Sequence, residues 1–136
     1  AGLLGIEIGG DMIPRILDEI PVLAVAACFA EGTTVIRDAK ELRVKESDRI
    51  ETTVRELTRM GAQIEAREDG MVIHGTGGLN GSACDSHRDH RLAMALGVAG
   101  LVSTGETIIN GAEDASISYP TFWEHLALLS GNVAEG

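Results

Sequence analysis

Positive charge is scarce in this sequence. It has 11 Lys and Arg residues against 21 Asp and Glu residues, and its formal net charge is −10. Non-specific nucleic-acid binding requires basic residues that neutralise phosphates, so the composition argues against a nucleic-acid partner. An anionic ligand would need a local cluster of cations acting against the overall charge. Four of the 11 cations lie within residues 40–49, which makes that stretch informative.

Cysteine and long apolar runs are also scarce. The two cysteines, Cys28 and Cys84, show neither a Cys-x-x-Cys pair nor a Cys/His ligand spacing, a pattern typical of buried free thiols in a reducing cytoplasm. The longest apolar run, residues 20–30, is interrupted by Pro21 and is too short to span a bilayer. No signal peptide is recognisable, so we expect a cytoplasmic location and no membrane partner. Because the sequence opens on Ala1 within an apolar pattern, we expect a longer polypeptide.

The order of predicted elements repeats after about 70 residues. An alanine-rich apolar helix opens near an acid, Asp18 or Asp89, and ends near a glycine, and a short alternating strand follows each helix. Each strand leads through a polar loop into a second helix with apolar residues at helical spacing. The predicted helices are 20–30, 46–60, 92–102 and 120–129, and the predicted strands are 3–10, 33–38, 62–67, 71–74 and 106–110.

These elements predict an α/β fold of two βαβα units, with a ββ ending after the first unit. The first unit covers about residues 1–76 and the second about 80–136, and the glycine-rich stretch 75–81 marks their boundary. Both alanine-rich helices are apolar nearly all round, which predicts buried helices. Buried helices with sheets outside them describe an inside-out α/β architecture.

Residues 40–49 carry the strongest chemical signal, at the predicted junction between a strand and a helix. In a helix, Lys45, Glu46 and Arg49 would share one face, because Arg49 lies four and three positions after the other two. A helix start also offers free N–H groups to an anionic ligand. The alternative is a solvated helix start with surface salt bridges, which contribute little to stability.

The second signal is the sequence Asp89-His90-Arg91 at the start of the other apolar helix. Arg49 and Arg91 thus lie just inside two loop-to-helix junctions, and two arginines that converge on one oxyanion suit phosphate or carboxylate. Asp18 holds the position in the first unit that Asp89 holds in the second. It is interpreted as a carboxylate that contacts a ligand hydroxyl. A helix cap is the alternative for both acids.

Metal chemistry has little support in the sequence. His74 ends a predicted strand, and His125 is interpreted as a surface residue of the last predicted helix. His87 lies three residues before His90 but lacks carboxylate partners at metal-ligand spacing. The glycines of residues 75–78 are not followed by Gly-Lys-Ser/Thr, so they form no P-loop. We therefore predict no metal centre.

Two of these motifs, in this order, resemble those of the 5-enolpyruvylshikimate-3-phosphate synthases. Arg-Val-Lys-Glu-Ser-Asp-Arg at 43–49 resembles the family signature Arg/Lys-Val-Lys-Glu-Ser/Thr-Asp-Arg. Asp-His-Arg-Leu-Ala-Met at 89–94 resembles the signature Asp-His-Arg-Met/Ile-Ala-Met. Asp18 precedes the first motif as the family's catalytic aspartate does, and residues 118–122 resemble the family's closing segment.

The resemblance implies an inside-out α/β barrel built of repeated βαβαββ units, with helices inside and sheets outside. Enzymes of this family have two such domains, which close on the substrates. Residues 1–136 would be part of the C-terminal domain, and the N-terminal domain would be absent. The chain alone would then be inactive.

The resemblance also implies a reaction, the transfer of an enolpyruvyl group from phosphoenolpyruvate to the 5-hydroxyl of shikimate 3-phosphate in the shikimate pathway. The implied partners are these two small molecules and the N-terminal domain, and no metal or organic cofactor is implied. By their matching positions, Asp18 and Glu46 would be catalytic, Asp18 and Lys45 would bind shikimate 3-phosphate, and Arg49, Arg91 and His90 would bind phosphoenolpyruvate.

Two positions depart from the family pattern. Residues 115–120 contain no Lys before the Tyr-Pro pair, and Glu41 stands where some members have Asn. Among enzymes, the alternative is a UDP-N-acetylglucosamine enolpyruvyl transferase, which shares the chemistry but should lack the Lys-Glu-Ser-Asp-Arg motif. From other classes, the alternatives are a non-catalytic phosphoanion-binding module and a structural or protein-interaction repeat.

Overall fold

A computed structural model describes residues 6–111 and the backbone of residues 133–135. Its helices are α1 (Ile13–Ile16), α2 (Ile20–Cys28), α3 (Arg49–Arg59) and α4 (His90–Val102), and short 3-10 helices cover Gly10–Met12, Leu17–Glu19 and Lys40–Val44. Its strands are β1 (Glu7–Ile8), β2 (Thr33–Ile36), β3 (Gln63–Arg67), β4 (Gly70–His74), β5 (Ala83–Asp85), β6 (Thr107–Asn110) and β7 (Val133–Glu135). The predicted helix 120–129, the segment 118–122 and His125 lie outside the described residues.

The strands form two sheets. The first has the order β1-β2-β4-β3, in which β1 and β2 are parallel and the other pairs are antiparallel. The second has the order β5-β6-β7 and is parallel throughout. Parallel strands need a crossover connection, and α2 provides it between β1 and β2, as α4 does between β5 and β6. This arrangement confirms the predicted α/β class.

The three longer helices pack against one another and against the sheets. α2 and α3 contact the first sheet, while α3 and α4 contact the second. The core combines Ala24 of α2 and Leu96 of α4 with Ile36 and Ile73 of the first sheet and Ile109 of the second, all at most 1 % exposed. α3 therefore lies where side chains from both halves of the chain can meet.

The burial predicted for both alanine-rich helices holds for most of α4 but is wrong for one face of α2. Seven residues of α4 are buried, and Val102 at its end is exposed. In α2, Val22 and Ala26 are exposed, because residues 6–111 supply no neighbour that buries them. None of the helices within the described ranges has the length and apolar character needed to cross a bilayer.

The helix predicted from Glu46 begins three residues later, at Arg49. Asp48 is its N-cap, since its backbone is extended (φ −72°, ψ 93°) and its side chain accepts a hydrogen bond from the amide of Glu51. Lys45 and Glu46 consequently lie in a bend before the helix. The shared helical face predicted for Lys45, Glu46 and Arg49 is therefore wrong.

Strand β5 has no counterpart among the predicted elements. It is three residues long, and Cys84 is its single buried residue, so it carries almost no periodic signal. Its pairing with β6 defines it as a strand. It leads directly into the turn that precedes α4.

Candidate active site

Three segments of the chain meet at one buried arginine. Arg49 is the first residue of α3, and its side chain is 2 % exposed. Nε donates to Oδ2 of Asp89 at 2.8 Å, Nη1 donates to Oδ1 of Asp18 at 3.0 Å, and Nη2 donates to Oε2 of Glu46 at 2.7 Å. Each guanidinium nitrogen thus has a carboxylate partner, and such charge-assisted hydrogen bonds fix the plane of the group.

Each carboxylate reaches Arg49 from a different local structure. Asp18 lies in the 3-10 helix before α2, Glu46 lies in the bend before α3, and Asp89 is the N-cap of α4. The predicted cap is confirmed for Asp89, whose Oδ1 accepts from two amides in the first turn of α4. The cap alternative is wrong for Asp18, which pairs with Arg49 while α2 has no side-chain cap.

The three carboxylates differ in their access to solvent. The side chain of Asp89 is 0 % exposed, whereas those of Asp18 and Glu46 are 47 % and 45 % exposed. Arg49 and Asp89 therefore form a buried ion pair, and the other two acids extend from that pair to the surface. A ligand at this surface would meet Asp18 and Glu46 first.

The buried pair is charged at neutral pH. Burial by itself would raise the pKa of Asp89, but hydrogen bonds from Arg49 and Ser47 and the charge of Arg49 outweigh it and hold that pKa below its usual range. Ser47 contributes through its Oγ, which donates to Oδ2 of Asp89 at 2.7 Å. Burial would likewise lower the pKa of Arg49, yet its carboxylate partners keep it above its ordinary value.

Asp89→Asn is expected to make the free energy of unfolding depend less on pH in the acidic range. A carboxylate with a lowered pKa stabilises the fold above its unfolded pKa, about 3.9 for Asp. This stabilisation is lost as the pH falls through the lower pKa of the folded state. The variant should differ most from the native chain near neutral pH and least in strong acid, as measured by urea unfolding followed by circular dichroism.

The control for this experiment is Asp11→Asn, since Asp11 is exposed. We expect that variant to follow the native chain at every pH. A free-energy difference between Asp89→Asn and the native chain that stays constant from neutral pH into strong acid would contradict the charged state assigned to Asp89.

His90 joins the cluster through Glu46. Its Nδ1 lies 3.3 Å from Oε2 of Glu46, and its side chain is 19 % exposed. One ligand atom each of Glu46, Asp89 and His90 lies within 4.8 Å of the others, a spacing compatible with a metal ion. However, the guanidinium of Arg49 already donates to both carboxylates, so it supplies the positive charge at this position.

Two of the predicted site residues lie outside this network. Nζ of Lys45 is 3.5 Å from Oε2 of Glu41, and its side chain is 27 % exposed. Arg91 meets the cluster through its backbone amide, which donates to Oδ1 of Asp89. Among residues 6–111, its guanidinium makes no hydrogen bond or ion pair. Both cations are therefore near the cluster in sequence without neutralising its acids.

Comparison with known proteins identifies the family of the chain. A family model described as EPSP synthase (3-phosphoshikimate 1-carboxyvinyltransferase) matches residues 3–126. The chain belongs to the EPSP synthase family. The match spans both signature motifs, at 43–49 and 89–94, on which the resemblance was based.

Individual members of the EPSP synthase family are similar over nearly all of the chain. The 3-phosphoshikimate 1-carboxyvinyltransferases of Herpetosiphon aurantiacus and of a Thermoanaerobacter species are 63 % identical over 126 residues and 60 % identical over 127 residues. Each alignment covers 93 % of this chain but 29 % and 30 % of the relative. A solved structure of EPSP synthase from Acinetobacter baumannii has a TM-score of 0.86 at 42 % identity, over 96 % of this chain and 31 % of that chain.

Sequence reasoning missed two partnerships that shape the site. The Arg49–Asp89 pair joins residues 40 positions apart, so it has no local signal. The fully buried Glu56 pairs with Nε2 of His87 at 2.7 Å, although His87 has no carboxylate at metal-ligand spacing in the sequence. Helical spacing could have indicated the burial of Glu56, because it lies two turns after Arg49 on the same face of α3 and next to the buried Leu57.

Proposed function

We propose that this chain supplies part of the active site of an enzyme that transfers the enolpyruvyl group of phosphoenolpyruvate to the 5-hydroxyl of shikimate 3-phosphate. The products are 5-enolpyruvylshikimate 3-phosphate and phosphate. Family membership supports the proposal, as do the names of the relatives. The observation that carries it is the convergence of Asp18, Glu46 and Asp89 on the buried guanidinium of Arg49.

The reaction requires two proton transfers and a place for negative charge. The hydroxyl oxygen bonds to C2 of phosphoenolpyruvate while its proton leaves, and the methylene carbon gains a proton, which gives a tetrahedral ketal. The C2–phosphate bond then breaks, phosphate departs with the bonding electrons, and the methyl group loses a proton. Positioned carboxylates suit the proton transfers, and cations suit the anionic groups.

Asp18 and Glu46 are the residues that we assign to the proton transfers. Both carboxylates are about half exposed, and each is held from its buried side by a different nitrogen of Arg49. A ligand can therefore reach them without breaking the buried Arg49–Asp89 pair. Asp18 also contacts shikimate 3-phosphate in this proposal, together with Lys45.

Phosphoenolpyruvate is assigned to Arg49, Arg91 and His90. The guanidinium of Arg91 has no partner among residues 6–111, so it is available to a carboxylate or phosphate. By formal charge, however, the carboxylates of Asp18, Glu46 and Asp89 equal in number the cations of Lys45, Arg49 and Arg91. This balance leaves no excess positive charge for two phosphorylated substrates, so further cations must come from another part of the enzyme.

The remaining assignments rest on the resemblance to the family. The chain spans 29 % to 31 % of the relatives and the solved structure. We assign residues 1–136 to the C-terminal domain, with units at about 1–76 and 80–136. An N-terminal domain completes the cleft, and the enzyme acts in the cytoplasm.

A chimeric enzyme tests this function. The 126 residues that match the Herpetosiphon aurantiacus relative would replace the matched segment of that relative. With both substrates present, we expect the chimera to release phosphate from phosphoenolpyruvate with a kcat/KM within about tenfold of that relative. A larger loss, up to about 100-fold, is expected only where a substitution shifts the groups that react. The chain alone should release no phosphate.

The same assay separates the alternative functions. UDP-N-acetylglucosamine in place of shikimate 3-phosphate should give no product. Turnover of UDP-N-acetylglucosamine would favour the related transferase instead. A folded chimera that binds phosphoenolpyruvate without turnover would favour a phosphoanion-binding module, and a folded chimera that binds neither substrate would favour a structural role.

A further inference from the structure

The turn between β5 and α4 has a strained backbone that ends at the cluster around Arg49. His87 and Arg88 both have positive φ, at 54° and 59°. Non-glycine residues rarely adopt this left-handed region and persist there only where their surroundings hold them. The amide of Asp89 closes the turn by donating to the carbonyl of Ser86 at 3.0 Å. Asp89 then caps α4 and pairs with Arg49.

The buried carboxylate of Glu56, on α3, contacts the same turn. Its side chain is 0 % exposed, and its Oε2 lies 2.7 Å from Nε2 of His87. Its Oε1 accepts from the backbone amide of Asp85 at 3.0 Å and lies 3.2 Å from Nε of Arg59. The carboxylate of Asp85 in turn accepts from the amide of His87 at 2.8 Å. Glu56 thus contacts both the entry and the middle of the turn.

α3 consequently holds the turn at two points. Arg49 and Glu56 are seven residues apart, which places them on one face of α3 about 10 Å apart along its axis. Arg49 binds Asp89 at the end of the turn, and Glu56 binds His87 and the amide of Asp85 near its start. Burying a carboxylate costs free energy unless it is hydrogen-bonded or paired. For Glu56, the contacts with His87, the Asp85 amide and Arg59 offset that cost.

We infer that Glu56 is a positioning residue: through His87 and the Asp85 amide it holds the turn in the conformation that presents Asp89 to Arg49 and sets His90 and Arg91 at the start of α4. This inference deepens the proposed function and rests on it for its catalytic consequence. Within residues 6–111, no hydrogen bond or ion pair joins the side chain of Glu56 to the residues assigned to the substrates. Glu56 acts by fixing the backbone from which Asp89, His90 and Arg91 extend.

The chimeric enzyme gives the catalytic test. Glu56→Leu keeps the volume of the side chain and removes its hydrogen bonds, and we expect the KM for phosphoenolpyruvate to rise at least about tenfold, since small misplacements at a reacting site have effects of this size. The KM for shikimate 3-phosphate should change less than about twofold. Glu56→Gln can still bond to the Asp85 amide and to His87, so it should restore most of the affinity.

His87 provides an independent approach to the same contact. His87→Leu should raise the KM for phosphoenolpyruvate as Glu56→Leu does, and His87→Gln, which keeps a donor, should not. The double variant with Leu at both positions should be no worse than Glu56→Leu alone, because Glu56→Leu already removes the contact that His87→Leu breaks. Additive losses would contradict the positioning role.

Leu57→Ala is the matched control for lost stability. Leu57 is the next residue of α3 and is 1 % exposed, so this variant lowers the melting temperature without touching the turn. It should leave the KM for phosphoenolpyruvate unchanged. An equal rise in that KM for Leu57→Ala and Glu56→Leu would overturn the inference, as would an unchanged KM for Glu56→Leu.

Amide hydrogen exchange in the chain itself tests positioning without catalysis. Glu56→Leu should speed exchange at the amides of Asp85, Arg91 and Leu92 at least about tenfold, while that of Gly61 at the end of α3 changes little. Unchanged exchange in the turn would overturn the inference whatever the activity of the chimera. Faster exchange together with an inactive parent chimera would leave the positioning role standing and count against the proposed function.

Discussion

Arg49→Met should lower the free energy of unfolding of the chain by about 3 to 5 kcal/mol, the range for removing one partner of a buried ion pair. The variant leaves Asp89 fully buried with its charge uncompensated. Asp18 and Glu46 are about half exposed, so water can replace their bonds to Arg49 at little cost. Most of the loss therefore arises at Asp89. Urea unfolding followed by circular dichroism measures it.

The acid dependence of this variant should be weaker than that of the native chain. Without Arg49, burial still raises the pKa of Asp89, and only the hydrogen bonds from Ser47 and the Leu92 amide still lower it. The pKa of Asp89 is therefore higher than in the native chain, so the variant should lose less stability as the pH falls. The native chain should lose stability over the same range. Arg55→Met is the control, since Arg55 lies on the same helix in an exposed pair with Glu51 and should cost less than about 1 kcal/mol.

If Arg49→Met gives no cooperative transition, Arg49→Lys extends the measurement. Lysine keeps the charge but lacks the planar guanidinium group that bonds to three carboxylates at once. The free energy of unfolding of Arg49→Lys should therefore lie between those of the native chain and Arg49→Met. A loss below about 1 kcal/mol for Arg49→Met would contradict the view that this pair is buried and charged.

Asp18→Asn in the chimeric enzyme should lower kcat by about 100- to 10,000-fold, the contribution typical of a positioned general acid or base. Asn keeps the size of the side chain and the contact to Arg49 but cannot take up a proton. Stability should change by less than about 1 kcal/mol, because Asp18 is 47 % exposed and its ion pair is open to solvent. Steady-state release of phosphate and thermal unfolding of the same samples give the two quantities.

Glu19→Gln is the matched control, because Glu19 is the next residue of the same 3-10 helix and is exposed. It should keep the kcat of the parent chimera. An Asp18→Asn variant with a kcat within about twofold of the parent would remove Asp18 from the proton-transfer assignment. If Glu19→Gln lowers kcat as much as Asp18→Asn does, the loss would arise from a changed conformation of this segment and not from proton transfer.

Local patterns predicted the elements of the chain well where the hydrogen bonds that define them are local. Asp89 was expected as a cap, and its side chain accepts from amides two and three residues later. The β3–β4 hairpin at residues 63–74 follows from alternation and a turn at Glu68-Asp69-Gly70. The predicted start of α3 was wrong by three residues, because residues 46–48 all suit a helix terminus and only Asp48 takes the cap.

The sequence by itself determined the α/β class, the two motif-bearing junctions and the family, since these depend on periodicity, capping and residue order. The tertiary structure alone decided that Arg49 meets Asp18 and Asp89, which lie 31 and 40 positions away, and that Glu56 meets His87. Capping acts within a few residues of one helix. These longer contacts exist because α2, α3 and α4 pack together, and that packing brings carboxylates from separate segments to one buried guanidinium.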